Sequence, residues 1–213
     1  ANVARNIKVI GGDVLLYGNV GTDDSGHELV ALLMESNINC MLSKVKCTTT
    51  KTRLVTNSGQ HILRWDKDAE GCDNDPVNNV INDTEHGDLI VVSDYAKGTI
   101  KDDTVKVLSK NNLVFVDPKQ KAEIYDGAFL VKPNMKEYVS WNGEFDVDSA
   151  ISFMNNEILD VTGAGDVVMS VIVSGFQSGL TIPDACENAC HVATRSVERK
   201  GTSVVSADDV FWE

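Results

Sequence analysis

The residues best suited to chemistry lie at positions 160–166, where the sequence reads Asp-Val-Thr-Gly-Ala-Gly-Asp and continues into an apolar stretch. Glycine and alanine let backbone N–H groups crowd together, and a helix that begins there directs its positive end at whatever lies above the loop. Asp166 falls in the first turn of that helix, where a carboxylate is stabilised and can act as a base. An anion-binding loop beside a base predicts phosphoryl transfer to a hydroxyl group.

Three further polar segments each follow an apolar run that is typical of a buried parallel strand. The segments are Ser-Asp-Tyr-Ala-Lys-Gly at 93–98, Asp-Pro-Lys at 117–119 and Lys-Pro-Asn-Met-Lys-Glu at 132–137. In parallel sheets of this kind, ligands bind beyond the carboxyl ends of the strands. We therefore expect the three segments to contribute to one site.

Alternating strands and helices must position these residues. The sequence predicts strands at 13–20, 38–42, 89–93, 113–116 and 129–132, and helices at 1–10, 27–37, 167–175 and 183–199. This alternation predicts an α/β fold with a doubly wound, mostly parallel sheet flanked by helices, in a single domain over 1–213. Residues 48–66 differ, because β-forming residues flank a turn at 57–59, which predicts a small β-hairpin that stands off the sheet as a lid.

Composition limits the classes of partner. The 213 residues carry a net charge of -13, which argues against nucleic acid or an anionic membrane as the main partner. A phosphate ligand would then need cations concentrated at its site. Five cysteines without a Cys-x-x-Cys pair argue against a disulfide framework or a zinc site and predict a reducing, cytoplasmic location. No apolar run has the length of a membrane span.

The motif at 160–166 resembles the signature of the ribokinase or PfkB family of sugar kinases. The resemblance implies a ribokinase-like fold, with ATP and Mg²⁺ as cofactors. It implies that Asp166 takes the proton from the sugar hydroxyl, and that the anion hole consists of Gly163, Ala164 and Gly165. Asp160 and Thr162 match the same pattern and would shape the loop at the nucleotide.

Asn134 and Glu137 match the family's Asn-x-x-Glu motif, which helps to place magnesium and the phosphates. The resemblance implies that Glu137 contacts the metal ion and that Asn134 lies at the nucleotide. Magnesium keeps several waters, so one carboxylate and one amide are chemically sufficient. The same spacing also fits a helix capping box, and both interpretations stay open.

Within the family, residues 1–7, 91–98, 116–119 and 201–203 and the hairpin strands are similar to the bacterial heptose 7-phosphate kinases. This likeness implies phosphorylation of the anomeric hydroxyl of D-glycero-D-manno-heptose 7-phosphate, which gives the 1,7-bisphosphate used for lipopolysaccharide heptose. The substrate contacts that it implies are Asn2, Arg53, Arg64, Asp94 and Lys97. The family's adenine site implies nucleotide contacts from Asn188 and Gly201.

Other interpretations stay open. The chain could be another sugar kinase of the same fold, acting on fructose, ribose or a nucleoside, or a truncated homologue that binds a sugar or nucleotide without catalysis. Segments that the family normally carries before Ala1 and near 155–157 have no counterpart, so the domain is expected to be incomplete there. An exposed hairpin has edges that a second copy would protect, which predicts a homodimer through the hairpin.

Overall fold

The computed structural model describes residues 1–56, 60–69, 76–142, 163–197 and 205–210. The α-helices are α1 (Asn2–Val9), α2 (Asp24–Glu35), α3 (Val77–Asp83), α4 (Thr104–Leu108), α5 (Met135–Asn142), α6 (Ala164–Gln177) and α7 (Ile182–Val197). The strands are β1 (Leu15–Gly21), β2 (Asn39–Val45), β3 (Thr50–Val55), β4 (His61–Lys67), β5 (Leu89–Ser93), β6 (Leu113–Asp117) and β7 (Leu130–Val131). Short 3₁₀ helices span Ala122–Tyr125 and Ala207–Asp209.

The strands confirm the α/β architecture with mostly parallel pairing. In the described part of the chain, β1 pairs with β2 in one parallel sheet, and β5, β6 and β7 form a second parallel sheet in that order. The predicted hairpin is also present, because β3 and β4 pair antiparallel, with Arg53 opposite Arg64. Nearly every residue of this hairpin is exposed.

The helix that carries Asp166 lies in the largest apolar core. Helix α6 buries Val167, Met169 and Val171 completely and packs against α7 and α1. The fully buried Ser170 hydroxyl lies 2.6 Å from the Asp166 carbonyl oxygen and 3.2 Å from the Val3 carbonyl oxygen. These contacts fix α1 against α6, so the first turns of the two helices lie side by side.

Several predicted boundaries are wrong by a few residues. Helix α2 begins three residues before position 27, because the Asp23 carboxylate accepts the Gly26 N–H at 3.1 Å and caps the helix there. Helix α6 also begins three residues earlier than predicted, at Ala164. Strand β1 is buried only at Val20 and Gly21. The expected break near 155–157 lies outside the described residues.

Candidate active site

The glycine-rich loop ends at a helix start with the geometry of an anion site. Gly163 adopts a left-handed φ of 88°, which glycine tolerates at no steric cost, and α6 begins at the next residue. The first four N–H groups of a helix have no partner within it, so those that follow Gly163 are available to a ligand. Asp166 lies in this first turn and is only 8% exposed.

Two donors from different parts of the chain hold the Asp166 carboxylate. The Asn2 side-chain amide donates to Asp166 Oδ2 at 3.1 Å, and the Tyr95 hydroxyl donates to Asp166 Oδ1 at 3.3 Å. The structure thus brings together Asn2 and Asp166, which were predicted for substrate binding and catalysis. Sequence reasoning missed Tyr95, although this residue lies in the polar segment that follows β5.

A lysine and a carboxylate lie beside the glycine loop. Lys132 Nζ is 2.8 Å from Asp117 Oδ1. A Cβ added at Gly165 would lie 3.6 Å from Lys132 Nζ and 4.0 Å from Asp117 Oδ2. Burial raises the pKa of Asp117, and the Asp166 carboxylate adds to this while Lys132 opposes it. Lys132 therefore places a cation beside the predicted anion hole, and sequence reasoning did not select it.

Asn134 and Glu137 form the capping box. The Asn134 N–H donates to Glu137 Oε2 at 2.9 Å, and the Glu137 N–H donates to Asn134 Oδ1 at 3.0 Å. Lys119 Nζ lies 3.0 Å from the other Glu137 oxygen. The metal and nucleotide roles of the two residues stay predictions beside this structural one.

The carboxylates at this edge suit magnesium better than a metal that needs several side-chain ligands. Over the described residues, no group of three or more His, Cys, Asp and Glu side chains could hold a metal ion. Magnesium needs only one or two carboxylates, because it keeps waters and binds substrate phosphates. Glu137 and Asp117 supply that number, and they are close enough for their charges to interact. The donor set therefore fits Mg²⁺.

The hairpin gathers cations on the side that faces the loop after β5. Burial lowers the pKa of Lys51, and three neighbouring cations lower it further. These cations are Arg64, Lys97 and Arg53. All three were predicted as substrate contacts, and the structure brings them together. Two aspartates balance part of the charge: Asp66 accepts from Arg64 Nε at 2.8 Å, and Asp68 lies 2.7 Å from Lys97 Nζ.

Asp94 is directed inward. Its side chain is 7% exposed, and its Oδ2 accepts from the Tyr125 hydroxyl at 2.6 Å and from Gln120 Nε2 at 2.8 Å. Its Oδ1 accepts the Ala96 N–H at 2.8 Å. Both oxygens thus hold the loop that carries Tyr95. The predicted substrate contact of Asp94 stays a prediction.

Comparison with known proteins decides the family. The chain matches the profile described as pfkB family carbohydrate kinase over residues 1–157 and 149–209. The chain belongs to the pfkB family of carbohydrate kinases. The family identity implied by the motif at 160–166 is confirmed.

Curated relatives of this pfkB-family chain are about twice its length. Bifunctional protein HldE of Psychromonas ingrahamii is 31% identical, over 97% of this chain and 53% of its own length. Bifunctional protein HldE of Sulfurimonas denitrificans is 28% identical, over 98% of this chain and 54% of its own length. The chain therefore spans about half the length of the relatives that it matches.

Solved structures support the fold of this pfkB-family chain. Phosphofructokinase-2 from Escherichia coli, in complex with potassium, has a TM-score of 0.77 at 18% identity, over 98% of this chain and 83% of its own. Ribokinase from Thermotoga maritima has a TM-score of 0.73 at 18% identity, over 98% of this chain and 84% of its own. The ribokinase-like fold expected from the resemblance is confirmed.

The remaining predicted nucleotide contacts are only partly described. Asn188 lies on α7 and is half-buried. Asp160, Thr162 and Gly201 lie outside the described residues. As for membrane segments, none of the helices in the described part of the pfkB-family chain is both long enough and apolar enough to cross a bilayer.

Proposed function

We propose that this pfkB-family chain transfers a phosphoryl group from ATP to a hydroxyl of a sugar phosphate. The observation that carries the proposal is the Asp166 carboxylate, which is held on both oxygens at the positive end of α6. Beside it lie the glycine loop and Lys132. A fixed base next to an anion site is the arrangement that proton removal from a hydroxyl and attack on a phosphate require.

The described residues divide the work of such a transfer. Asp166 would accept the proton from the attacking hydroxyl. The N–H groups at residues 163–165 and the Lys132 ammonium would stabilise the charge on the transferred phosphoryl group. When bound, Mg²⁺ would neutralise phosphate charge, and Glu137, with Asp117 beside it, would hold it. The hairpin would cover the sugar and exclude water, which limits hydrolysis of ATP.

The proposed acceptor is D-glycero-D-manno-heptose 7-phosphate, which would become the 1,7-bisphosphate. Two observations support this choice over an unphosphorylated sugar. Arg64, Lys97 and Arg53 repel the Lys51 ammonium, and a phosphate on the substrate would relieve that repulsion. The HldE proteins are relatives at about 30% identity over nearly the whole chain. We also infer a cytoplasmic location, because the proposed phosphoryl donor is ATP.

A substrate panel tests this proposal. ADP release is measured with ATP and Mg²⁺ on heptose 7-phosphate, fructose, fructose 6-phosphate, ribose and adenosine. We expect turnover on the heptose phosphate. Turnover on another acceptor would keep the Asp166 mechanism and discard the substrate, since a different sugar kinase is the open alternative. A folded protein that is silent on the whole panel would favour the non-catalytic homologue.

The role of Asp166 has a matched control on the neighbouring helix. We expect Asp166→Asn to lower kcat by roughly 10²- to 10⁴-fold, because the variant cannot accept the proton. Asp184 also lies in the first turn of its helix, α7, but is exposed. Asp184→Asn should leave kcat unchanged. Equal turnover of Asp166→Asn and the wild type would show that another group is the base.

We also propose that the hairpin pairs with a second copy of the chain. Five large apolar side chains of the hairpin are about half exposed or more: Leu54, Val55, Ile62, Leu63 and Trp65, the last at 70%. An apolar, exposed pair of strands is typical of an interface. Light scattering should give a dimer that Leu63→Lys with Trp65→Ser converts to a monomer. Leu32→Lys with Met34→Ser on α2, also exposed, is the control; a dimer that survives the hairpin substitutions would contradict the interface.

A further inference from the structure

Tyr95 touches both the hairpin and Asp166. Its hydroxyl lies 3.3 Å from Asp166 Oδ1, and Lys51 Nζ, on strand β3, lies 4.7 Å from the centre of its ring. A cation over the face of an aromatic ring is attracted to it. The Tyr95 side chain therefore contacts the hairpin through the face of its ring and the Asp166 carboxylate through its hydroxyl.

The loop that carries Tyr95 is fixed from below. The buried Asp94 carboxylate binds the Ala96 N–H and two side-chain donors from the segment after β6. Ala96 itself has a left-handed φ of 53°, which is unfavourable for a residue with a Cβ and needs support from its surroundings. The bond from its N–H to Asp94 gives that support. These bonds fix the backbone on either side of Tyr95 to the core.

A second contact joins the same loop to the hairpin. Lys97 pairs with Asp68, which follows β4 directly, at 2.7 Å. A displacement of the hairpin away from the body of the protein must therefore separate Lys51 from the Tyr95 ring and Asp68 from Lys97. The hairpin contributes little to the core, so these polar contacts matter for where it lies.

The Tyr95 hydroxyl remains a donor over the working pH range. Burial and the adjacent Asp166 carboxylate raise the pKa of Tyr95 to about 12. With Asn2 on the other oxygen, Tyr95 restrains rotation of the Asp166 carboxylate. A base that is restrained in the attack geometry loses less entropy at the moment of reaction.

We infer that Tyr95 is a positioning residue that connects the hairpin to Asp166, so that the base is held in its reactive orientation when Lys51 lies on the Tyr95 ring. The inference rests on the proposed function, because it takes Asp166 as the base. It adds a residue that transmits the position of the sugar-covering element to the reacting group.

Substitutions that separate the ring from the hydroxyl test this inference. Tyr95→Phe keeps the ring and removes the donor, and we expect kcat to fall about tenfold, the effect of a lost hydrogen bond to a charged group, with KM for ATP within about twofold of the wild type. Tyr17→Phe is the matched control, because the Tyr17 hydroxyl also donates to a carboxylate, Asp83 at 2.9 Å, away from the site. Its kcat should equal that of the wild type. Wild-type kcat in Tyr95→Phe would overturn the inference.

The hairpin contact is tested by non-additivity. Lys51→Met should lower kcat about two- to fivefold, the size of an exposed cation–π contact. When Tyr95 is already replaced by leucine, Lys51→Met should lower kcat no further. Lys51→Arg in the wild type should keep kcat at the wild-type value, since a guanidinium also binds the ring. Independent, multiplying effects of Lys51→Met and Tyr95→Leu would overturn the connection.

Unfolding experiments, which need no turnover, distinguish a failure of this inference from a failure of the proposed function. Urea unfolding is measured for Tyr95→Phe with Asp166→Ala, which removes the acceptor, and for Tyr95→Leu with Lys51→Met, as two double-mutant cycles. Coupling in both cycles supports the connection even if no acceptor is phosphorylated, in which case only the proposed function fails. Zero coupling in either cycle overturns the inference whatever the activity is.

Discussion

Replacing Asp94 by alanine separates a structural role from a substrate contact. The carboxylate accepts from Tyr125 and Gln120, and both contacts lie in a half-buried to buried environment. Asp94→Ala would leave these two donors without their acceptor, at about 1 to 3 kcal/mol each. The Ala96 N–H is nearer the solvent and can bind water. We therefore expect the free energy of unfolding to fall by about 4 kcal/mol.

Thermal and chemical unfolding measure this loss directly. For a chain of this size, about 1 kcal/mol corresponds to roughly 2–4 °C, so the midpoint should fall by roughly 8–16 °C. Asp13→Ala is the control, because the Asp13 side chain is fully exposed and its pair with Lys8 is a surface ion pair, which contributes little to stability. The reasoning is refuted if Asp94→Ala is as stable as the wild type while KM for the sugar phosphate rises more than about tenfold, since that pattern is expected of a carboxylate that binds substrate.

Three further outcomes follow from the described contacts. Lys132→Met should lower kcat/KM for ATP about 100-fold, because it removes a preorganised cation beside the anion site, and an unchanged value in steady-state kinetics would exclude that role. Hydrogen bonds from Thr48 hold the pKa of Asp23 well below its usual range, so the stabilisation by this carboxylate is present above about pH 4 and is lost as the pH falls. In urea titrations, the difference in free energy of unfolding between the wild type and Asp23→Asn should therefore shrink from pH 6 to pH 2. A constant difference would contradict this. Gly163→Ala should lower the free energy of unfolding by about 1–2 kcal/mol, because alanine is strained at a φ of 88°, and a neutral effect in the same titration would mean that the loop adopts another conformation.

The sequence was sufficient for features that depend on local pattern. Glycines before an apolar run predict that a helix begins here, although it begins at Ala164 and not at the predicted position 167, and Asp166 lies in its first turn. The sequence also predicts that the polar segments after β5, β6 and β7 lie at one edge, because carboxyl ends of parallel strands meet there. The bond between Lys132 and Asp117 shows that two of these segments do meet.

The direction of individual side chains could not be predicted from the sequence. Asp94 and Tyr95 are adjacent, yet the first is directed into the core and the second towards Asp166. That difference depends on Tyr125, which lies 31 positions along the chain and supplies a buried hydroxyl. The placement of Lys132 beside the glycine loop likewise depends on the geometry after β6 and β7. Spacing along the chain predicts neither the directions of the Asp94 and Tyr95 side chains nor the position of Lys132.

The near-complete exposure of β3 and β4 determines which replacements the fold tolerates. Side chains on the hairpin are exposed to solvent and not packed in the core, so most replacements there change the stability of the fold little. Asp166, in contrast, lies on α6, where Val167, Met169 and Val171 are completely buried. Replacements on the exposed hairpin are therefore expected to leave the fold largely intact, whereas replacements on the buried face of α6 are expected to lower the free energy of unfolding.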